Sequence, residues 1–467
     1  MRLSCLILLI ASATLPAAEL PPPNIVLILS DDLGCFELGC YGQTKIKTPN
    51  IDRMAADGMK FNRFYSGNAV CAPSRCCLMT GKHPGHATVR DNREQKPEGQ
   101  FPIAADDVTL AELLKKQGYA TAAIGKWGLG PFGSTGDPLK HGFDLFFGYN
   151  CQRHAHTHYP TYLYRNDQRF DLPGNNGKTG DTFTHDLFEK EALIFIDANK
   201  AKPFFLYMPV TVPHVAVQVP EDSLKDYLGK LGDDPAYDGK KGYQPHPAPH
   251  AAYAAMVTRM DRTVGRILDK LKELKIDNNT LVLFTSDNGP THNVGGADST
   301  FFESAGKLRG LKGSLYEGGI RVPMLALYPG KIKPGGISDL PFAFWDMLPT
   351  FCELTATETP KALDGVSFMP ALLGKEQKPH EFLYWEFPGY GGQQALQSGK
   401  WKVVRQKLVA KAMKPTLELF DLDTDPNETT DVAGKNPEVL KKLVEIMKRE
   451  HTPSRDFPMP ALDDLTK

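Results

Sequence analysis

Two apolar runs in this chain end in oxygen-bearing pairs. NIVLILS (24–30) is followed by Asp31 and Asp32, and LVLFTS (281–286) by Asp287 and Asn288. Each run reads as a strand buried on both faces of a parallel sheet, and ligands of open α/β sheets bind beyond the carboxyl ends of such strands. The fold would then gather four side chains into one crevice. Such hard oxygen donors suit Ca2+ or Mg2+. Either pair alone reads more readily as a turn or a helix cap; their coincidence at two strand ends is what points to a metal.

A second feature is CAPSRCCLMTG (71–81), with three cysteines in seven residues. Pro73 suits the first turn of a helix and Gly81 its end. Cys71 then sits at a helix N-terminus, where unpaired N–H groups favour anions. The position admits a low-pKa thiol nucleophile or a small core residue. Cys76 and Cys77 are adjacent and therefore poor disulfide partners.

The elements that must position these residues follow from periodicity. MRLSCLILLIASATLPAAEL (1–20) reads as a secretory signal over residues 1–18, its apolar run too short for a membrane span. A periplasmic or secreted product without a stable membrane anchor is expected. Cysteines 35, 40, 71, 76, 77, 151 and 352 follow it, an odd number in a compartment that permits disulfides, and no C-x-x-C pair supports thiol redox chemistry. Lys plus Arg (54) and Asp plus Glu (55) nearly cancel, so no electrostatic case exists for nucleic acid. TLAELLKKQGY carries a capping-box start in Thr109 and Glu112, ATAAIG and FFLYMPV read as further strands, and an apolar face from Tyr253 to Leu271 marks a long helix. Helices alternating with buried strands predict an α/β fold, a doubly wound and mostly parallel sheet, over residues 19–375. Shorter amphipathic segments between Gly-Gly and Asp-Pro-Asn turns predict a smaller antiparallel sheet with one helix over 376–467.

Cys71-Ala72-Pro73-Ser74-Arg75, with Leu78, Thr80 and Gly81 in register, resembles the C-x-P-S-R-x-x-L-x-T-G signature of the type I sulfatases of the alkaline phosphatase superfamily. The resemblance implies that a maturation enzyme oxidises Cys71 to Cα-formylglycine, which accounts for the odd cysteine. It implies a Ca2+ held by Asp31, Asp32, Asp287, Asn288 and residue 71. Arg75, Lys126 in GKWGLG and Lys312 in KGSLYEGGIRVP would bind sulfate, and His214 in TVPHVAV would serve the leaving oxygen. ELFDLDTDPNE resembles the family's C-terminal signature. The implied activity is hydrolysis of a sulfated carbohydrate or aryl sulfate. Phosphonate or phosphate ester hydrolysis, and silent binding of sulfated glycans, are the alternatives.

One departure stands out. The family's lysine motif usually reads GKWHLG, and here Gly128 replaces the histidine. His154 or His156 in CQRHAHTHYP is expected to enter the pocket in its place. Arg153, His158, Tyr159, Trp385, Glu386, Gln393 and Gln394 are the candidates for contacts to the sugar.

Overall fold

The computed structural model describes residues 22–240, 242–409 and 414–463; the expected signal segment lies outside the described residues. Asn24–Ser30 forms the centre of an 11-stranded sheet, parallel to Phe204–Pro209 on one side and to Thr280–Ser286 on the other. Ala120–Lys126 and Leu145–Tyr149 extend the parallel run. Arg321–Leu327 and Met59–Tyr65 continue one side antiparallel, with Gly336–Ser338 and Phe342–Ala343 parallel to Met59–Tyr65 at that edge, and Tyr162–Arg165 and Gln168–Asp171 close the other antiparallel. The sheet is therefore mixed at its edges and parallel where the expected site lies.

The unbroken apolar run of the central strand is explained by the two cores it serves. Ile25, Leu27 and Leu29 pack on one face against Cys76, Cys77 and Leu78 of the helix Cys71–Thr80, Leu110 of Leu110–Lys116 and Leu348 of Met347–Leu354. Val26 and Ile28 point to the other face, toward Met54 of Pro49–Asp57, Phe188 of Thr184–Asn199 and Tyr253 of Pro249–Glu273. Thr109 caps Leu110–Lys116 as expected: its Oγ1 accepts from Glu112 N at 3.2 Å, and its N–H donates to Glu112 Oε2 at 2.9 Å.

A four-stranded antiparallel sheet of Leu383–Phe387, Gln393–Ser398, Trp401–Gln406 and Thr416–Asp421 follows. Tyr384, Leu396, Val403 and Leu419 on one face bury Leu443, Ile446 and Met447 of the helix Pro437–Glu450. Trp385, Phe387, Val404 and Phe420 on the other face join the core of the large sheet. The second sheet thus shares a core with the first. All seven described cysteines are free, six of them buried. Among the described residues no helix is long and apolar enough to cross a membrane.

Candidate active site

Ser30 stands opposite Ser286 in the parallel register, so Asp31 and Asp287 leave the sheet at one level. Strand alternation would send Asp31 and Asp32 to opposite faces. Asp32 instead adopts a left-handed φ of 66°, which Asp tolerates better than most residues. Its N–H donates to Asp287 Oδ1 at 3.1 Å, and Asn288 Nδ2 donates to Asp32 Oδ1 at 2.8 Å. One oxygen each from Asp31, Asp32 and Asp287, with Cys71 Sγ, lie within 4.8 Å of one another. Asn288 Oδ1 is buried beside them and has no hydrogen-bond partner. Three carboxylates and an orphaned amide oxygen make a hard donor set that fits Ca2+ or Mg2+.

Cys71 opens its helix after the extended Val70, and Gly81 closes it at a φ of 68° with its N–H donating to Cys77 O. The sulfur lies 3.6 Å from Asp31 Oδ1 and 3.5 Å from Lys312 Nζ. Burial pushes the Cys71 thiol up to about 12 despite Lys126 and Lys312. Of the two sequence readings, burial favours the small core residue over the low-pKa thiol, because desolvation opposes the helix N-terminus.

Three cations face the three carboxylates. Arg75, fully buried, donates from Nε and Nη2 to Asp287 Oδ2 at 3.1 and 2.8 Å and from Nη1 to Lys126 O. Lys126, the last residue of its strand, donates to Asp31 Oδ2 at 2.6 Å. Lys312 grips both oxygens of Asp32 at 2.7 and 2.8 Å. Burial alone would raise the Asp31 carboxyl; Lys126, Arg75 and Lys312 together hold it well below the usual range.

His214 Nε2 stands 3.6 Å from Asp32 Oδ2, and its Nδ1 donates to Val215 O at 2.5 Å. His156 stacks on it at 4.8 Å between ring centroids, and Tyr243 lies edge-on to His214 and tilted against His156. Burial, then Lys126 and Lys312, push His156 far down, so it is neutral. Of the two histidines expected to fill the gap at Gly128, His156 reaches the cluster and His154 does not. His154 lies against Tyr162 and 3.6 Å from Glu98.

Four candidates for sugar contacts are also placed elsewhere. Arg153 is exposed and paired with Glu94 at 2.8 Å. His158 is buried, its Nε2 on His214 O and its Nδ1 on the Thr211 hydroxyl, which fixes the loop carrying His214. Glu386 is sealed in the core by Arg90, Tyr384 and His451. Gln393 accepts from Leu315 N and donates to Gly313 O, bracing the loop of Lys312. Their polarity serves the scaffold.

The residue that the sequence did not reveal is Gln152. Gly128 has a φ of 75°, and a Cβ there would lie 3.0 Å from Gln152 Nε2. Gln152 in turn reaches Asn92 Oδ1 at 3.4 Å, and that same oxygen accepts from Ala72 N at 2.9 Å. A buried glutamine carries no chemical signature in sequence; only the missing side chain at 128, two dozen positions earlier, hinted that something must fill the space.

A family model described as Sulfatase matches residues 23–357, and one described as N-sulphoglucosamine sulphohydrolase, C-terminal, matches residues 311–453. The N-acetylgalactosamine-6-sulfatase of Canis lupus familiaris is 35% identical over 408 residues, 81% of this chain and 72% of that protein. The N-acetylgalactosamine-6-O-sulfatase of Bacteroides thetaiotaomicron is 29% identical over 92% of this chain and 93% of its own. Among solved structures, Ps i-CgsB in complex with k-i-k-neocarrahexaose superposes with a TM-score of 0.79 at 28% identity, covering 94% of each chain. The strand-end acids, the cations set against them and these likenesses converge, and the chain belongs to the sulfatase family, hydrolases of sulfate esters.

Proposed function

We propose that this protein removes sulfate from a sulfated carbohydrate at residue 71. The observation that carries the reading is the buried cluster in which Arg75, Lys126 and Lys312 balance Asp31, Asp32 and Asp287 around Cys71. Asp31, Asp32, Asp287 and Asn288 would hold a Ca2+, which would supply Lewis-acid charge neutralisation. A formylglycine at 71, made by a maturation enzyme, would supply as its hydrated aldehyde one hydroxyl to attack sulfur and another to release the sulfate.

The chain's own residues do the rest. Arg75, Lys126 and Lys312 present fixed positive charge where the sulfuryl oxygens gather negative charge. His214, with its Nδ1 proton committed to Val215 O, offers a bare Nε2. That nitrogen suits taking a proton from residue 71 and returning it to the leaving oxygen. His156, neutral and stacked on His214, keeps the ring in place, while Gln152 and Asn92 fix the start of the helix through Ala72 N. The export signal would bring the enzyme to the periplasm or the exterior, where such substrates occur.

The test is release of inorganic sulfate from monosulfated saccharides with Ca2+ present. The wild type should release it and Cys71→Ala should not. Equal release by both variants, or none by the formylglycine-bearing wild type on any ester, defeats the reading.

A further inference from the structure

Beside the Lys312 loop stand residues that no part of the chemistry above uses. Tyr390 is 66% exposed, the largest such exposure among the described large hydrophobics. Its ring lies over the Lys312 loop, so close that a Cβ on Gly313 would come within 2.9 Å. Its hydroxyl meets His292 Nε2 at 3.1 Å, and His292 is held just beyond the acid pair because Lys312 N donates to Pro290 O. The charged groups near Tyr390 are Lys312, Asp32 and Asp91.

Asp91 completes this group. It precedes Asn92, the residue that caps Ala72 N beside residue 71, and its Oδ2 lies 3.0 Å from where a Cβ on Gly389 would be, next to Tyr390. The arginines on either side turn away: Arg90 to Glu386 and Thr452 O, Arg93 to Asp456. Asp91 accepts one hydrogen bond, from Asn92 N, and no cation pairs with it among the described residues. Burial without a cation pushes its carboxyl up to about 6. A half-buried carboxylate left without a cation beside an exposed aromatic ring is costly for folding alone, and the pair suits a ligand with one apolar face and a fringe of hydroxyl donors.

We propose that Asp91, Tyr390 and His292 form a subsite for an uncharged, hydroxyl-bearing sugar ring carrying the sulfate ester; this rests on the sulfatase reading and names its leaving group. The pyranose face lies on Tyr390 and a hydroxyl donates to Asp91. The same carboxylate repels a uronate or a second sulfate at that ring, a device that selects by disfavouring the wrong ligand. Arg153, the exposed cation next to Gln152 in sequence, is already committed to Glu94 and offers no counterweight.

The experiment compares kcat/KM on three sulfate esters: a small aryl sulfate, a monosulfated neutral disaccharide and a monosulfated disaccharide containing a uronate. The wild type should prefer the neutral sugar to the uronate. In Asp91→Ala the ratio of neutral-sugar to aryl-sulfate kcat/KM should fall about 10- to 100-fold, mainly through KM, as one hydrogen bond to a charged group is lost. Tyr390→Ala, at an exposed position safe for folding, should lower the same ratio. Asp91→Asn should narrow the preference for neutral sugar over uronate. Unchanged ratios, a parallel loss on all three esters, or a wild type that prefers the uronate overturns the subsite. A wild type inert on every ester defeats the sulfatase reading instead, and calorimetric titration with the neutral disaccharide then decides the subsite: binding weakened by Asp91→Ala sustains it, and equal or absent binding removes it.

Discussion

Lys402→Met should cost this fold more than any surface change, and the reason is visible in its surroundings. Lys402, fully buried on the second sheet, stands 2.8 Å from Glu317 Oε1 and 2.8 Å from Glu428 Oε1. Glu317 also accepts from Tyr65 at 2.9 Å and faces Arg321 at 3.7 Å, and its N–H donates to Glu428 Oε2. Two cations thus balance two carboxylates, and removing Lys402 strands one of them. Breaking a buried pair from one side costs about 3–5 kcal/mol, a large part of a total of about 5–15 kcal/mol. Burial already pushes Glu428 up to about 7, with Lys402 the main force holding it down. In the variant its folded pKa rises further above its unfolded value, so the folded state binds more protons and loses stability as pH rises. Urea unfolding followed by tryptophan fluorescence is a suitable assay, since Trp345 and Trp385 are buried 5.4 Å apart. The deficit should widen above about pH 7, and adding Glu428→Gln should recover about half of it. A loss below about 1 kcal/mol, independent of pH and untouched by Glu428→Gln, would refute the reasoning.

Other expectations concern the site and its supports. Lys312→Met should lower kcat on an aryl sulfate on the order of 10² to 10³, as loss of a preorganised charge does; a change in KM alone would place Lys312 outside the reacting centre. Gly128→Ala should destabilise by about 1 kcal/mol, because φ is positive there and Gln152 Nε2 would be 3.0 Å from the new methyl; Gln152→Gly in the same chain should relieve only the contact. His86 Nδ1 lies 2.9 Å from Asp364, which raises its pKa above 6.5, with Glu450 helping and Arg90 opposing. Its contribution is full below the unfolded pKa and lost as pH rises through the folded one, so the Tm gap between wild type and His86→Ala should be widest near pH 6 and close by about pH 9. A gap that is constant or grows with pH contradicts that pairing.

The centre of the fold was legible because burial on both faces writes an unbroken apolar run, as in NIVLILS and LVLFTS. The antiparallel edge strands were not, since MKFNRFY mixes Lys60, Asn62 and Arg63 with its apolar positions and RVPMLAL carries Pro323. Within the site, Asp31, Asp32, Asp287 and Asn288 declared themselves by position at strand ends. Glu386 and Gln393 had the right chemistry for a sugar, yet residue type says nothing of direction, and both are turned into the scaffold. Gln152 and Asp91 are the converse: common residues whose meaning comes from what lies beside them, a glycine without a side chain and two arginines that point elsewhere.

The proposed chemistry depends on residue 71, and the most direct measurement is the mass of the tryptic peptide Phe64 to Arg75, FYSGNAVCAPSR, from protein exported by its own source. Loss of the sulfur and gain of a carbonyl at residue 71, in proportion to activity across preparations, is the predicted result. An intact thiol in protein that still releases sulfate at full rate would contradict it, because activity would then not depend on the aldehyde.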